Sequence, residues 1–341
     1  MPFRALIAGM FFVYGCLAQL PPVPAAGAPA GAAALGGNRD QSGDNLMRKL
    51  SDAQWFSRMG DIADVDQIEY ASLGPAKQRN PTGLGAKNPL IISAFTFIPK
   101  KLDRSTKHPL LVLPHDGVHS NFSVGRYLHI VREMVALGYT VIAPDYRGST
   151  GYGAGFYNQI DYGGRENDDV LAAKDWALEN YAFLDPKRVG IVGWSHGGMI
   201  TLMNILQHPG AYAAAYAGVP VTDLVLRLGY HDAAYQAIFS APTHIGKTVQ
   251  EDLQEYLKRS PIAYVDKLDT PLLMHTTTND EDVNVIEVKA MITALKAAGK
   301  KFDYKIYEDA PGGHYFNRLD NKLSHESRKE IYDFLGRILR P

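Results

Sequence analysis

The stretch around Ser195 constrains the fold more than any other, because an apolar run leads there into the pattern Gly-x-Ser-x-Gly. Residues 189–192 are typical of a buried strand, and residues 199–207 have the spacing of a helix. A serine between a strand and a helix lies on a sharp turn that exposes its hydroxyl, and the flanking glycines leave room for that turn. The pattern alone also arises by chance, so it is this context that predicts a nucleophilic Ser195.

Short apolar strands alternate with amphipathic helices along most of the chain. The strands are predicted at 110–113, 140–143, 189–192, 212–217, 272–275 and 302–307. The helices are predicted at 124–137, 168–181, 199–207, 285–297 and 327–339. This alternation predicts an α/β fold with a mostly parallel central sheet and helices on both faces. A helix at 44–59 and strands at 68–73 and 90–98, joined by a loop rich in Gly, Pro and Asn, are expected to precede it.

The first 43 residues differ from the rest. Arg4 precedes an apolar run at 5–17 that is too short to span a membrane, which predicts a signal peptide at 1–18 and a secreted or periplasmic protein. Cys16, the only cysteine, follows residues that partly resemble a lipoprotein signal, so it is also a possible lipid anchor. Residues 19–43 are rich in Ala, Gly and Pro and are expected to form a disordered tether to a domain at 44–341.

Residues 221–267, the cap segment below, interrupt the alternation and carry many aromatic side chains. They are expected to form either extra helices packed on the body or a small cap that shapes a substrate pocket. Both interpretations stay open, since one segment can do both.

A serine hydroxyl needs a base within hydrogen-bond reach, and the base needs an acid to orient it. His314 lies in a glycine-rich loop after the last predicted strand, which predicts it as the base. Asp280 comes first after the strand at 272–275 and is the predicted acid, although Asp282 is an alternative and these carboxylates also suit a solvated turn. The carboxyl ends of parallel strands share one edge, so Ser195, Asp280 and His314 are expected to meet there.

The negative charge that develops on a substrate oxygen needs two hydrogen-bond donors. One predicted donor is the backbone N–H of His196, directly after the serine. The other is expected from the loop after strand 110–113, either from the backbone around Asp116 and Gly117 or from the side chain of His115. His115 is equally well interpreted as an ordinary loop residue.

Composition excludes several other functions. The net charge is −1, and no basic run with interleaved aromatics suggests nucleic acid binding. The glycine-rich run 145–153 lacks the spacing and the lysine of phosphate-binding loops, and the histidines lack metal-ligand spacing. We therefore expect neither a metal nor another cofactor.

Four motifs in order resemble the catalytic domain of the prolyl oligopeptidase family, which includes dipeptidyl-peptidase-like and acylaminoacyl-peptidase-like enzymes. They are the segments 145–153 and 193–198, Asp280-x-x-Val283, and Gly313-His314. The resemblance covers residues 68–340 and implies an α/β-hydrolase fold with the triad Ser195, Asp280 and His314. It implies a serine peptidase that acts through an acyl-enzyme. The alternatives are a carboxylesterase for feruloyl-type or other aryl esters, or a non-catalytic binding protein on the same fold.

The chain also departs from that family. We expect the family's β-propeller to be absent, because fewer than ninety residues precede the hydrolase core in this sequence. Leu224 stands where dipeptidyl peptidases have an aromatic wall, and Asp282 stands where they have an asparagine that donates to the substrate carbonyl; an ionised carboxylate cannot donate. The substrate pocket, for a peptide or an ester, is expected to be lined by Trp194, Tyr146, Val221, Leu224, Asp282 and Val283.

Overall fold

The computed structural model describes residues 41–78 and 80–341. The predicted signal peptide, Cys16 and the tether as far as residue 40 lie outside the described residues. Residues 41–43, expected in the tether, form the start of the first helix instead. Within the described ranges, no helix combines the length and the apolar character needed to cross a bilayer.

Eight strands form one sheet. In chain order they are β1 (Ala63–Ser72), β2 (Leu90–Pro99), β3 (His108–Val112), β4 (Thr140–Asp145), β5 (Leu184–Trp194), β6 (Ala214–Gly218), β7 (Leu272–Thr277) and β8 (Asp303–Tyr307). Their order across the sheet is β1-β2-β4-β3-β5-β6-β7-β8. The β1–β2 and β2–β4 pairs are antiparallel and the other pairs are parallel, which confirms the mostly parallel sheet.

Helices cover both faces of the sheet. The ten α-helices in the described part of the chain are α1 (Gln41–Met59), α2 (Val124–Ala136), α3 (Ala154–Tyr157), α4 (Glu166–Asn180), α5 (His196–Gln207), α6 (Leu224–Tyr230), α7 (Ala233–Ser240), α8 (Leu253–Lys258), α9 (Val285–Ala297) and α10 (Lys322–Leu339). Helices α1, α2 and α10 share one apolar core with the sheet, and α4, α5 and α9 share the other.

The strand β3 and the residue after it show how one run of sequence serves both cores. Leu110 and Val112 belong to the core on the α5 side, whereas Leu111 and Leu113 belong to the core on the α10 side. Successive side chains of a strand point to opposite faces, so a strand buried on both faces is apolar at every position. Burying each of these leucines contributes about 1.5–3 kcal/mol.

The cap segment consists of α6, α7, α8 and a 3-10 helix at Pro261–Lys267. Asp223, Asp232 and Asp252 begin the three α-helices, and each side chain accepts hydrogen bonds from backbone N–H groups of the first turn. Leu228 and Phe239 extend the core on the α5 side, so extra helices do pack on the body as one interpretation expected.

Several elements are longer than their apolar patterns predict, and two of them, β5 and α10, show why. Strand β5 begins at Leu184 rather than 189, and the apolar pattern misses this start because residues 185–188 are exposed or half-buried. Helix α10 begins at Lys322 rather than 327, where the side chain of Asn321 accepts a hydrogen bond from the N–H of Ser324. Capping side chains and exposed strand residues carry no apolar periodicity, so the pattern misses both starts.

Candidate active site

Ser195 lies between β5 and α5 with φ 57° and ψ −121°. Positive φ is costly for a residue with a side chain, and it persists only where the surrounding structure enforces it. Here the Ser195 N–H donates to the carbonyl of Gly218 in β6, 2.9 Å away, and the Ser195 carbonyl accepts from the N–H of Met199 in α5. The predicted strand–turn–helix around Ser195 is confirmed.

The glycines beside Ser195 are required by space. A Cβ on Gly193 would fall on the carbonyl oxygen of Gly197, and a Cβ on Gly197 would lie 2.5 Å from the carbonyl oxygen of Pro114. No side chain fits at either position unless the backbone moves. These glycines therefore allow β5, the start of α5 and the loop after β3 to approach one another closely.

Asp280 and His314 meet at the same edge of the sheet. Nδ1 of His314 lies 2.9 Å from each carboxylate oxygen of Asp280, so the imidazole donates to this side chain. The carboxylate also accepts from the backbone N–H groups of Asp282 and Val283, at 2.9 and 2.8 Å. The acid is thus fixed by its own loop and in turn fixes the histidine ring.

His314 lies in the loop after β8, within a 3-10 turn at Gly313–Tyr315. Gly312 and Gly313 precede it with φ of 95° and 49°, which few other residues adopt. Arg318 closes the loop, because its Nη2 donates to the His314 carbonyl at 2.9 Å. Glycine-rich backbone and one arginine therefore place the imidazole.

The structure distinguishes the two candidate acids. Asp280 occupies the Nδ1 side of His314, whereas Oδ2 of Asp282 lies 3.8 Å from Nε2, on the other side of the ring. Asp282 pairs through Oδ1 with the buried guanidinium of Arg227. Burial by itself raises the pKa of Asp282, but Arg227 and His314 hold it below its usual value. Asp282 is therefore a separate charged group beside the imidazole.

The hydroxyl of Ser195 is not engaged elsewhere. Ser195 and His314 are both nearly buried at 7% exposure. Among the residues that the structure describes, no hydrogen bond uses the Ser195 hydroxyl or Nε2 of His314. Catalytic hydrogen bonds are often absent before a substrate binds.

The loop after β3 contributes differently from expectation. Nδ1 of His115 bonds to the Asp116 carbonyl at 3.0 Å, and Nε2 lies 2.8 Å from the hydroxyl of Ser149. Burial lowers the pKa of His115 to about 4, so the ring is neutral and structural. The expectation that this side chain donates to a substrate oxygen is therefore wrong, because one ring nitrogen bonds within the loop and the other contacts Ser149 in the segment after β4.

The backbone N–H and the carboxylate of Asp116 also have partners within the protein. Its backbone N–H donates to Oη of Tyr127, 2.6 Å away, and its carboxylate accepts from Tyr127 and pairs with Arg126 and Arg318. The N–H of Asp116 is therefore unavailable to a substrate, which corrects the expectation for this residue. Gly117 is different: it has φ 75°, and within the described chain its N–H donates to no other residue.

The side chain of His196 points away from solvent into a buried site. Its Nε2 lies 3.6 Å from Oε1 of Glu166, and its ring stacks on Tyr162 with centroids 5.0 Å apart. Burial and nearby Asp161 raise the pKa of Glu166 to about 7, and burial lowers the pKa of His196 well below its usual range. The backbone N–H of His196 lies in the first turn of α5, where helix N–H groups lack partners within the helix.

Two of the expected pocket residues have structural roles. Trp194 ends β5 facing the α10 side, where its Nε1 donates to Asn317 and its ring packs on Tyr216. It is a core residue because the last side chain of β5 points away from α5. Tyr146 is fully buried, and its Oη donates to the carbonyls of His115 and Gly117 at 3.1 and 2.8 Å. It supports the loop instead of contacting substrate.

The other four expected pocket residues differ in exposure. Val221, Leu224 and Val283 are buried in the core on the α5 side. The side chain of Asp282 keeps 42% of its surface exposed. Of the six residues expected to line the pocket, Asp282 alone presents a substantial surface beside His314.

Sequence patterns missed several residues that organise this site. They are Tyr127, Glu166, Arg227 and Arg318, whose partners lie on other helices or loops, from 11 to 202 positions away along the chain. Nothing in the local sequence marks such contacts. In the described part of the chain, no group of three or more His, Cys, Asp or Glu side chains is arranged to hold a metal ion.

Comparison with known proteins covers most of the chain, including the segments that carry Ser195, Asp280 and His314. A family model described as the prolyl oligopeptidase family matches residues 127–341. The chain is 28% identical to the uncharacterized peptidase YuxL of Bacillus subtilis (strain 168), over 72% of its own length and 35% of that protein. It is 31% identical to the acylamino-acid-releasing enzyme of Arabidopsis thaliana, over 63% of its length and 28% of that protein. The chain thus spans about a third of these curated relatives.

Solved structures share the fold. The acylaminoacyl peptidase of Pyrococcus horikoshii superposes with a TM-score of 0.68 at 20% identity, covering 84% of this chain and 44% of that one. Dipeptidyl peptidase 4 of Porphyromonas gingivalis gives a TM-score of 0.61 at 25% identity, covering 79% of this chain and 35% of that one. The α/β-hydrolase fold expected from the sequence is confirmed.

Proposed function

Because the chain belongs to the prolyl oligopeptidase family, we propose that it is a serine hydrolase that cleaves peptide or amide bonds through an acyl-enzyme. The observation that carries this proposal is the Asp280–His314 pair at the sheet edge where Ser195 is held with positive φ. A histidine oriented by a buried carboxylate, at the sheet edge that also carries a serine on a sharp turn, is the arrangement that makes a hydroxyl nucleophilic.

Each group has one role in the proposed reaction. Oγ of Ser195 attacks the acyl carbon while Nε2 of His314 takes its proton, and Asp280 stabilises the imidazolium through Nδ1. The proton passes to the leaving amine, the bond to that amine breaks, and an ester on Ser195 remains. Water then attacks this ester with the same histidine as base, which releases the acid and restores the serine hydroxyl.

Two backbone donors are available for the oxygen that becomes charged. One is the N–H of His196 at the start of α5, and the other is the N–H of Gly117, which has no partner within the described chain. Fixed donors of this kind need no rearrangement as the charge develops. Nδ1 of His115 holds the Asp116 carbonyl, which shares a peptide with the Gly117 N–H. Tyr146 holds the carbonyls of the peptides on either side.

Labelling by a fluorophosphonate probe tests the proposed nucleophile. Ser195→Ala should abolish labelling, whereas Ser57→Ala, at an exposed serine of α1, should label as the parent does. Both variants should unfold at about the same denaturant concentration as the parent. Equal labelling of Ser195→Ala would refute the proposal.

The bond cleaved is tested by kinetics on a peptide amide and an ester that share one acyl group. A peptidase should keep substantial kcat/KM on the amide, since its histidine must protonate a poor leaving group. Turnover of the ester alone would replace the peptidase proposal with a carboxylesterase. The names of the acylamino-acid-releasing relatives favour the amide.

A further inference from the structure

Building on the proposed hydrolase, we infer that Asp282 selects substrates that carry a free α-ammonium group next to the bond cleaved. The side chain stands where the family resemblance expects an amide that donates to a carbonyl. A carboxylate offers only acceptors, so it recognises hydrogen-bond donors, and a cationic donor gives the stronger bond. The polarity of this subsite is therefore opposite to that of the expected asparagine.

The position of Asp282 places it beside the reacting atoms. Its Oδ2 lies 3.8 Å from Nε2 of His314, the nitrogen that exchanges the proton with serine and leaving group. An α-ammonium is separated from the scissile carbonyl carbon by one carbon atom. A lysine ammonium sits at the end of a four-carbon stem. A carboxylate this close to His314 suits the α-ammonium better.

Asp282 is held so that one oxygen is anchored and the other is open. Oδ1 pairs with Nη2 of Arg227, and Nη1 of Arg227 also holds the Asp282 carbonyl at 3.1 Å. Arg227 is itself fixed by Oη of Tyr235, 2.8 Å from its Nε. Among the described residues no hydrogen bond uses Oδ2 of Asp282. The open oxygen is thus oriented before a ligand arrives, which lowers the entropic cost of binding.

Arg227 is shared between Asp282 and a second carboxyl group. Nη1 of Arg227 also lies 3.7 Å from Oε2 of Glu287, a buried carboxyl group. Oε1 of Glu287 accepts from the N–H groups of Thr222 and Asp223, and Oε2 accepts from Oη of Tyr230. One guanidinium faces two carboxyl groups, and the side chain of Asp282 keeps 42% of its surface exposed, so its open oxygen is accessible to a cation.

The test compares two substrates in two proteins. The substrates are alanine p-nitroanilide and its N-acetyl counterpart, and the measured quantity is the ratio of their kcat/KM values. Asp282→Asn should lower the ratio of free to acetylated substrate by about tenfold to a hundredfold, as expected for losing a hydrogen bond to a charged group. Glu281→Gln, the exposed neighbour, should keep the parent's ratio. An unchanged ratio in Asp282→Asn would overturn the inference.

A second substrate pair identifies the source of the cation. Nα-acetyl-lysine and Nα-acetyl-norleucine p-nitroanilides differ in a side-chain ammonium only. If Asp282→Asn changes the ratio of this pair but not of the alanine pair, the α-ammonium assignment is wrong.

The inference and the proposed function fail in different ways. If the protein is labelled by the fluorophosphonate but Asp282→Asn keeps the parent's ratio of kcat/KM values, the proposed role of Asp282 is wrong and Ser195 remains the proposed nucleophile. Absence of labelling removes the proposed hydrolase itself. If only esters are cleaved, the same ratios are measured on the matching ethyl esters, so the role of Asp282 is still decided.

Discussion

Asp116 and Arg318 form a buried ion pair that joins the loop after β3 to the loop after β8. The same guanidinium donates to the carbonyl of His314, and the same carboxylate accepts from Tyr127. The loop that carries the proposed Gly117 donor and the loop that carries the proposed base are therefore held by one pair of side chains. No local sequence pattern predicts this ion pair, because the two residues are 202 positions apart.

Removing the charge of Asp116 should destabilise the protein strongly. Asp116→Asn leaves the buried Arg318 without its carboxylate, and breaking such a pair costs about 3–5 kcal/mol. The free energy of unfolding in urea measures the loss. Asp64→Asn is the matched control, since the Asp64–Arg104 pair is about half exposed and worth about 1 kcal/mol or less. Equal losses in both variants would contradict the importance of the buried pair.

Asp280→Asn should lower kcat by about a thousandfold to ten-thousandfold, because the imidazole loses both its orientation and its counter-charge. The variant should remain folded, since an amide fills the same space. Steady-state kinetics and the denaturation midpoint measure the two effects. Glu281→Gln, next to it and exposed, should change kcat less than twofold by comparison, roughly the effect of a surface substitution. A comparable loss of kcat in Glu281→Gln would mean that Asp280 is wrongly assigned as the acid.

Tyr146→Phe should lower kcat by about tenfold to a hundredfold with a smaller change in KM. The lost hydroxyl holds the carbonyls on either side of the Asp116–Gly117 segment, and a misplaced donor weakens transition-state binding. Tyr304→Phe, which removes an exposed hydroxyl on β8, is the control. A normal kcat in Tyr146→Phe would argue against the Gly117 N–H as a donor.

Glu166 should make stability depend on pH. Its pKa is raised from 4.5 to about 7 in the folded protein, chiefly by burial, so between these pH values the folded state holds a proton that the unfolded chain has lost. Stability therefore falls as the pH rises through this window. The gain in unfolding free energy from Glu166→Gln should increase from pH 4 to pH 8. The exposed Glu179→Gln should show no such trend, and a flat Glu166→Gln profile would contradict the raised pKa.

Two glycine substitutions should have opposite effects. Gly193→Ala places a methyl group against the Gly197 carbonyl and should abolish folding or labelling at Ser195. Gly125→Ala, in α2 with nothing within 4 Å of the added Cβ, should stabilise the protein by about 0.4–1 kcal/mol. Thermal unfolding of the two variants checks both. A tolerated alanine at 193 would mean that β5 and α5 can separate without loss.

The sequence predicts those parts of the site that depend on periodicity. The strand before Ser195 and the loops after β7 and β8 follow from apolar runs, and parallel strands bring their ends to one edge. The direction of Trp194 does not follow, because the face that a strand's last residue takes depends on how the strand pairs with its neighbours. The bond from the Asp116 N–H to Oη of Tyr127 does not follow either, because Tyr127 lies on α2 and no local pattern shows that its side chain reaches back to this loop.

The chain order of the site has a consequence for protein synthesis. Ser195 is made well before Asp280, and His314 comes only after β8 has been completed. A nascent chain that has folded as far as α9 holds the proposed nucleophile and the proposed acid but lacks the proposed base. The proposed chemistry therefore starts only once β8 and the loop after it have been added to the sheet.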